Sequence, residues 1–244
     1  MNKLNYLIIL LLVSCGGYEK PVDVSLETKV LLIGNGTEPQ DLDPHIVTGV
    51  PESKILMALL EGLVIRHPDG KSPLPGVAKS WEISSDGLNY TFYLRPNAKW
   101  SNGEVMTADD FVWSWMRILT ASLGSQYPDM LYYLEGAEEY HTWVSKEDLN
   151  SMLASELLND ADPEIVFSIE QSLMNHKPKP LFDTVGVKAI DEHTLKVNLK
   201  SPTPFFLGLL SVKSTSSAPC PSKIKVMGYF LSSFSSVSIF TNII

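Results

Sequence analysis

The chain has 244 residues, 44% apolar and 19% charged, a balance that excludes a disordered tail, a collagen-like rod and a multi-span membrane protein. With 19 basic against 28 acidic residues and a formal net charge of −9, nucleic acid is not an expected partner. Two cysteines, Cys15 and Cys220, are too few for a disulfide-stapled scaffold or a four-thiolate metal site.

Residues 1–14 open with Met-Asn-Lys and continue as an apolar run from Leu4 to Val13, broken by Asn5 and Tyr6. Ten helical residues reach about 15 Å, roughly half of a hydrocarbon core, so a cleaved secretory signal fits better than a permanent span. The segment Leu12-Val13-Ser14-Cys15 resembles the bacterial lipobox, which implies cleavage before Cys15 and lipidation of its thiol. The alternative is an ordinary cysteine in an uncleaved signal. Several acyl chains on one cysteine anchor stably, so the expected location is the periplasmic or extracellular face of a membrane. Residues 15–28 mix charges with Pro21, show no periodicity and read as a lipidated tether.

Val30 to Ile33, ended by Gly34-Asn35-Gly36, fits a buried strand leading into a turn. Beyond the loop at Asp41-Leu42-Asp43-Pro44, the spacing of Ile55, Leu56, Leu59 and Leu60 predicts a helix from about 52 to 61, with Pro51 near its first turn. Trp81 and Ile83, then Tyr90, Phe92 and Leu94, alternate on either side of Asp86-Gly87 and predict a hairpin with one buried face. Asn102-Gly103 marks a tight turn. Thr107 with Asp110 resembles a capping box, and Phe111, Val112, Trp115, Met116 and Leu119 predict a helix from about 108 to 119. Residues 131–176 read as two or three short surface helices. Val185 to Ile190 and Thr194 to Leu199, around Asp191-Glu192-His193, predict a second hairpin. The fold class is α/β in the mixed α+β sense.

From Ser214 the composition shifts to serine with aromatic and β-branched residues, and no acid follows Lys225. Residues 222–244 are an atypical tail, either an out-of-frame or truncated end or a hydrophobic C-terminal strand. Catalytic signals are sparse. The five histidines lack metal-ligand spacing, and no nucleophile elbow, phosphate loop or zinc signature occurs, so neither an enzyme nor a cofactor or metal site is expected. Asp109-Asp110 reads as a solvated helix start and Glu138-Glu139 as a charged outer face. Trp81, Trp100 and Trp115 read as core, whereas Tyr127, before Pro128 in a polar loop, can point into solvent or a cleft.

A resemblance follows from motifs in one order: Pro39-Gln40-Asp41-Leu42-Asp43-Pro44-His45, Gly49-Val50-Pro51-Glu52-Ser53, Leu60-Glu61-Gly62-Leu63 and Pro75-Gly76-Val77-Ala78-Lys79-Ser80-Trp81-Glu82. Asp86 to Arg95, Lys99 to Gly103, Thr107 to Val112, Gly186 to Asp191 and Pro202 to Phe206 continue it to about Pro221. On these the chain resembles the bacterial extracellular solute-binding family 5, in the subgroup of oligopeptide-binding proteins of ABC importers. The resemblance implies a lobe of the type II periplasmic-binding-protein fold with an inserted middle domain. It places residues 29–62 and 184–221 in the first lobe and 63–183 in the insertion, with the second lobe missing.

The resemblance further implies oligopeptides and ABC permease subunits as partners, with peptides held in extended form by main-chain hydrogen bonds in the manner of strand addition. Thr48, Gly49 and Val50 match the loop bordering the bound peptide, and Tyr127 matches a cleft tyrosine. Thr48 stands where relatives in the subgroup can carry an acidic residue, so no charged contact to a ligand amine is implied there. Against these readings stand a loop shaped only by Gly49 and Pro51, and a tyrosine engaged in packing. The expected function is that of a lipid-anchored peptide-binding subunit, in a truncated and impaired copy. The alternative is a non-transporting surface lipoprotein with an adhesion or interaction role.

Overall fold

The computed structural model describes residues 21–70, 72–159, 162–211 and 236–240. The signal at 1–14, Cys15 and most of the tail expected at 222–244 lie outside the described residues. The chain divides into two compact units, one of residues 1–38 with 229–244 and one of residues 39–228.

In the first unit a helix, α1 (Pro21–Thr28), occupies the second half of the stretch read as an irregular tether. Proline in a first turn gives up an N–H that would lack a partner anyway, and Thr28 Oγ1 donates to the Val24 carbonyl at 2.7 Å. Lys29 takes a left-handed conformation, φ 58°, ending the helix and turning the chain into β1 (Val30–Gly34). β1 pairs in parallel with the strand Ser236–Phe240, from Val30 opposite Ser236 to Gly34 opposite Phe240.

The second unit begins with the loop before α2 (Val50–Leu59), two residues earlier than the spacing predicts. After the short pair β2 (Val64–Ile65) and β3 (Leu74–Pro75) comes the expected hairpin, β4 (Ala78–Ile83) and β5 (Asn89–Leu94). Its turn needs a positive φ, which Gly87 supplies at 71°. The helix α3 (Ala108–Ile118) starts at the capping box that Thr107 and Asp110 form. The Asp110 carboxylate accepts from the Thr107 N–H at 2.8 Å and from Trp100 Nε1 at 3.3 Å. Three surface helices follow, α4 (Ala137–Thr142), α5 (Lys146–Leu158) and α6 (Pro163–Met174), then the second hairpin, β6 (Val187–Asp191) and β7 (Thr194–Asn198), and α7 (Phe206–Leu210).

The two hairpins form one antiparallel sheet in the order β4-β5-β7-β6, with Phe92 opposite Leu195 and Tyr90 opposite Val197. The sheet draws strands from both expected segments, 63–183 and 184–221. A boundary between 63–183 and 184–221 would cut that sheet, and residues 39–62 lie in the same unit as the sheet, apart from 29–38. The reason is burial. Phe92, Leu94, Leu195 and Val197 are fully inaccessible in one core with Phe111, Trp115 and Ile118 of α3, so the two hairpins bury their apolar faces together. Trp100 and Trp115 are buried, as expected, and Trp81 packs against the core while half-exposed. Phe206 closes one side, edge-on to Tyr90 at 5.1 Å.

Trp115→Ala should cost about 3–5 kcal/mol, the range for truncating a buried aromatic, whereas Leu158→Ala, at a position 86% exposed, should stay within about 0.5 kcal/mol. Urea unfolding midpoints at neutral pH check both.

Candidate functional site

The segment from Gln40 to Gly49 carries its own turn chemistry. Asp43 Oδ1 accepts the His45 N–H at 3.0 Å, and the Asp43 carbonyl accepts from Ile46 and Val47 at 3.2 and 3.1 Å, so the chain winds tightly before α2. Pro51 falls in the first turn of that helix, where Gly49 is the N-cap and its carbonyl accepts the Ser53 N–H at 3.0 Å. Glu52 is buried, and its Oε1 accepts the Gln40 N–H at 2.8 Å, closing the segment end to end. A β-carbon at Gly49 would stand 1.9 Å from Glu52 Oε2. That carboxylate is held by Gln40 and walled in, so only glycine leaves the space it needs.

A second anchor ties the same segment to α3. Arg117 bonds both Asp43 carboxylate oxygens, Nη1 to Oδ1 at 2.8 Å and Nη2 to Oδ2, and Nη1 also meets His45 Nδ1 at 2.8 Å. Ser114 Oγ lies 3.1 Å from His45 Nε2. Guanidinium groups only donate, so Nδ1 is the acceptor and Nε2 carries the ring proton and donates to Ser114. Burial and the Arg117 charge push the His45 pKa down to about 4, against the pull of Asp43, which keeps the imidazole neutral at pH 7. Burial raises the Asp43 pKa, but the Arg117 bond and the His45 amide outweigh it and leave the carboxyl below its ordinary range. Arg95 makes a parallel clamp, with Nη2 on Glu61 Oε2 and Nε on the Gly76 carbonyl, both at 2.8 Å. Burial raises the Glu61 pKa, and Arg95 works against that rise.

The anchors leave Thr48 exposed, Gly49 half-buried and Val50 68% exposed. Tyr127 is 37% exposed and is the N-cap of a 3-10 turn, Pro128–Leu131. Among the described residues no hydrogen bond or ring contact joins it to the Thr48–Val50 loop. Cys15 lies outside the described residues. Sequence reasoning missed Arg117, Ser114, His45 and Glu52 as the supports of the loop. Apart from Glu52 four residues beyond Thr48, their partners are too remote to leave a local signal.

The family model for bacterial extracellular solute-binding proteins, family 5 Middle, matches residues 72–228. The chain belongs to the bacterial extracellular solute-binding proteins of family 5. The periplasmic oligopeptide-binding protein OppA of Escherichia coli K12 is 39% identical over 200 residues, which are 82% of this chain and 30% of that relative. The crystal structure of Haemophilus influenzae OppA in complex with RPPGFSPFR shares 33% identity at a TM-score of 0.60, over 80% of this chain and 31% of that one. An oligopeptide-binding protein of Borrelia burgdorferi, OppAIV, gives 32% and 0.59 over 79% and 31%. The chain thus spans 30% of the length of the OppA relative from E. coli, and its fold is the mixed helix-and-sheet fold of the type II periplasmic-binding neighbours in family 5.

Neutral His45 makes the fold acid-sensitive. The unfolded chain takes up this proton first as pH falls from the ordinary histidine value of 6.5 toward about 4. Its stabilisation is complete above 6.5, declines through that window and is gone below it, a loss on the order of 3 kcal/mol. Urea midpoints at pH 7.5, 5.5 and 4.5 should fall accordingly, and His45→Gln should flatten the decline.

Proposed function

We propose that this chain takes part in capturing oligopeptides for an ABC importer, that it is a lipoprotein held through Cys15 outside the cytoplasm, and that it works by binding without catalysis. The observation that carries the reading is the similarity to oligopeptide-binding relatives along 82% of the chain. The exposed Thr48–Val50 edge, fixed from beneath at both ends, suits an extended peptide whose main chain is recognised more than its side chains. Tyr127 is the second proposed contact, an aromatic face that accepts varied side chains. The permease subunits are the proposed receiver of the captured peptide.

A binding clamp draws its affinity from enclosing the ligand, and this chain matches 30% of the length of the E. coli relative. The 244-residue chain alone should therefore bind a tri- to pentapeptide more weakly than about 0.1 mM. In an NMR titration with trialanine and with an Arg-Pro-rich pentapeptide, amide shifts should concentrate at Thr48, Gly49 and Val50. Unchanged spectra at ten millimolar peptide, or shifts confined elsewhere, would overturn the reading.

The anchor has its own test. In a bacterial host fed labelled palmitate, the chain should incorporate label and fractionate with membranes, and Cys15→Ser should abolish both and leave the precursor uncleaved. Label retained by the serine variant would exclude Cys15 as the acceptor.

A further inference from the structure

We infer that Arg117 is the positioning residue of the ligand-bordering loop: through Asp43 and His45 it fixes where the Thr48–Val50 edge stands, without touching a ligand itself. The inference rests on the reading of that edge as the peptide contact. Its physical basis is the distribution of the bonds. Thr48, Gly49 and Val50 are at or near the surface, and what holds them lies on either side in the chain.

Downstream is α2, whose Glu52 clasps Gln40. Upstream is the Asp43–His45 turn, which Arg117 and Ser114 of α3 hold across more than 65 residues of chain. α3 is anchored in the core, with Phe111, Trp115 and Ile118 fully buried. Ser114 and Arg117, three residues apart, lie one turn apart on one side of it. The guanidinium contacts three acceptor atoms on two residues, which a planar fork can serve at once and an ammonium cannot. The position of the loop is thereby referred to the core.

Arg117→Lys is the diagnostic change, because it keeps the charge and loses the fork. Hydrogen exchange of the full chain, read by mass spectrometry, should show the amides of residues 45–50 exchanging at least tenfold faster. Those of β5 and β7 should stay within a factor of two of the parent. Peptide-induced shifts at Thr48–Val50 should then need at least fivefold more peptide. Asp43→Asn, which removes the opposite end of the fork, should reproduce both effects and serves if the lysine variant fails to fold.

Equal acceleration in loop and sheet would reduce Arg117 to a general stabiliser, and an unchanged loop would remove its role altogether. Either result overturns the inference. If the parent chain itself shows no peptide shifts, the functional reading falls, while the exchange pattern still decides whether Arg117 positions the loop.

Discussion

The apolar face of α3 pressed on the four-stranded sheet is the constraint from which the rest follows. Phe111, Trp115 and Ile118 cannot leave the core without opening a large cavity, so the helix has a fixed azimuth. The capping box fixes where it begins, since Asp110 returns a bond to Thr107 and a second to Trp100. With origin and rotation both set, Ser114 and Arg117 emerge at one place on the surface of the helix. The Asp43–His45 turn is built on them.

Much of this was legible. The alternation of Tyr90, Phe92 and Leu94 predicts a strand with one buried face, and all three are buried in β5. The Thr107–Asp110 spacing announces the start of α3, and Gly87 marks the hairpin turn. These are local signals, in which a residue's neighbours within four positions decide its state. The family motifs likewise point to the Asp41–His45 turn and the Gly49–Ser53 helix start, although not to what holds them.

The rest depends on partners far away in the chain. Arg117 meets Asp43 and His45 across 74 and 72 residues, and no periodicity reports such a meeting. The hairpins show the same limit. Each carries an alternating pattern that demands a cover for one face, but the pattern does not say that β7 lies against β5. α1 was missed for another reason: its residues mix charge and proline with no apolar stripe, so propensity alone had to carry a helix.

The pairing of β5 with β7 also governs the order in which the molecule can assemble. Phe92 and Leu195 are roughly 100 residues apart in the chain, so the first hairpin must form with one edge unpaired and wait for the second. The wait lasts until the second hairpin is available to pair. During it β5 offers an open row of N–H and C=O groups beside apolar side chains, a surface prone to join other chains. Closure of the sheet is thus a non-local event, and the open edge of β5 persists for longer than in a sheet whose strands pair in sequence.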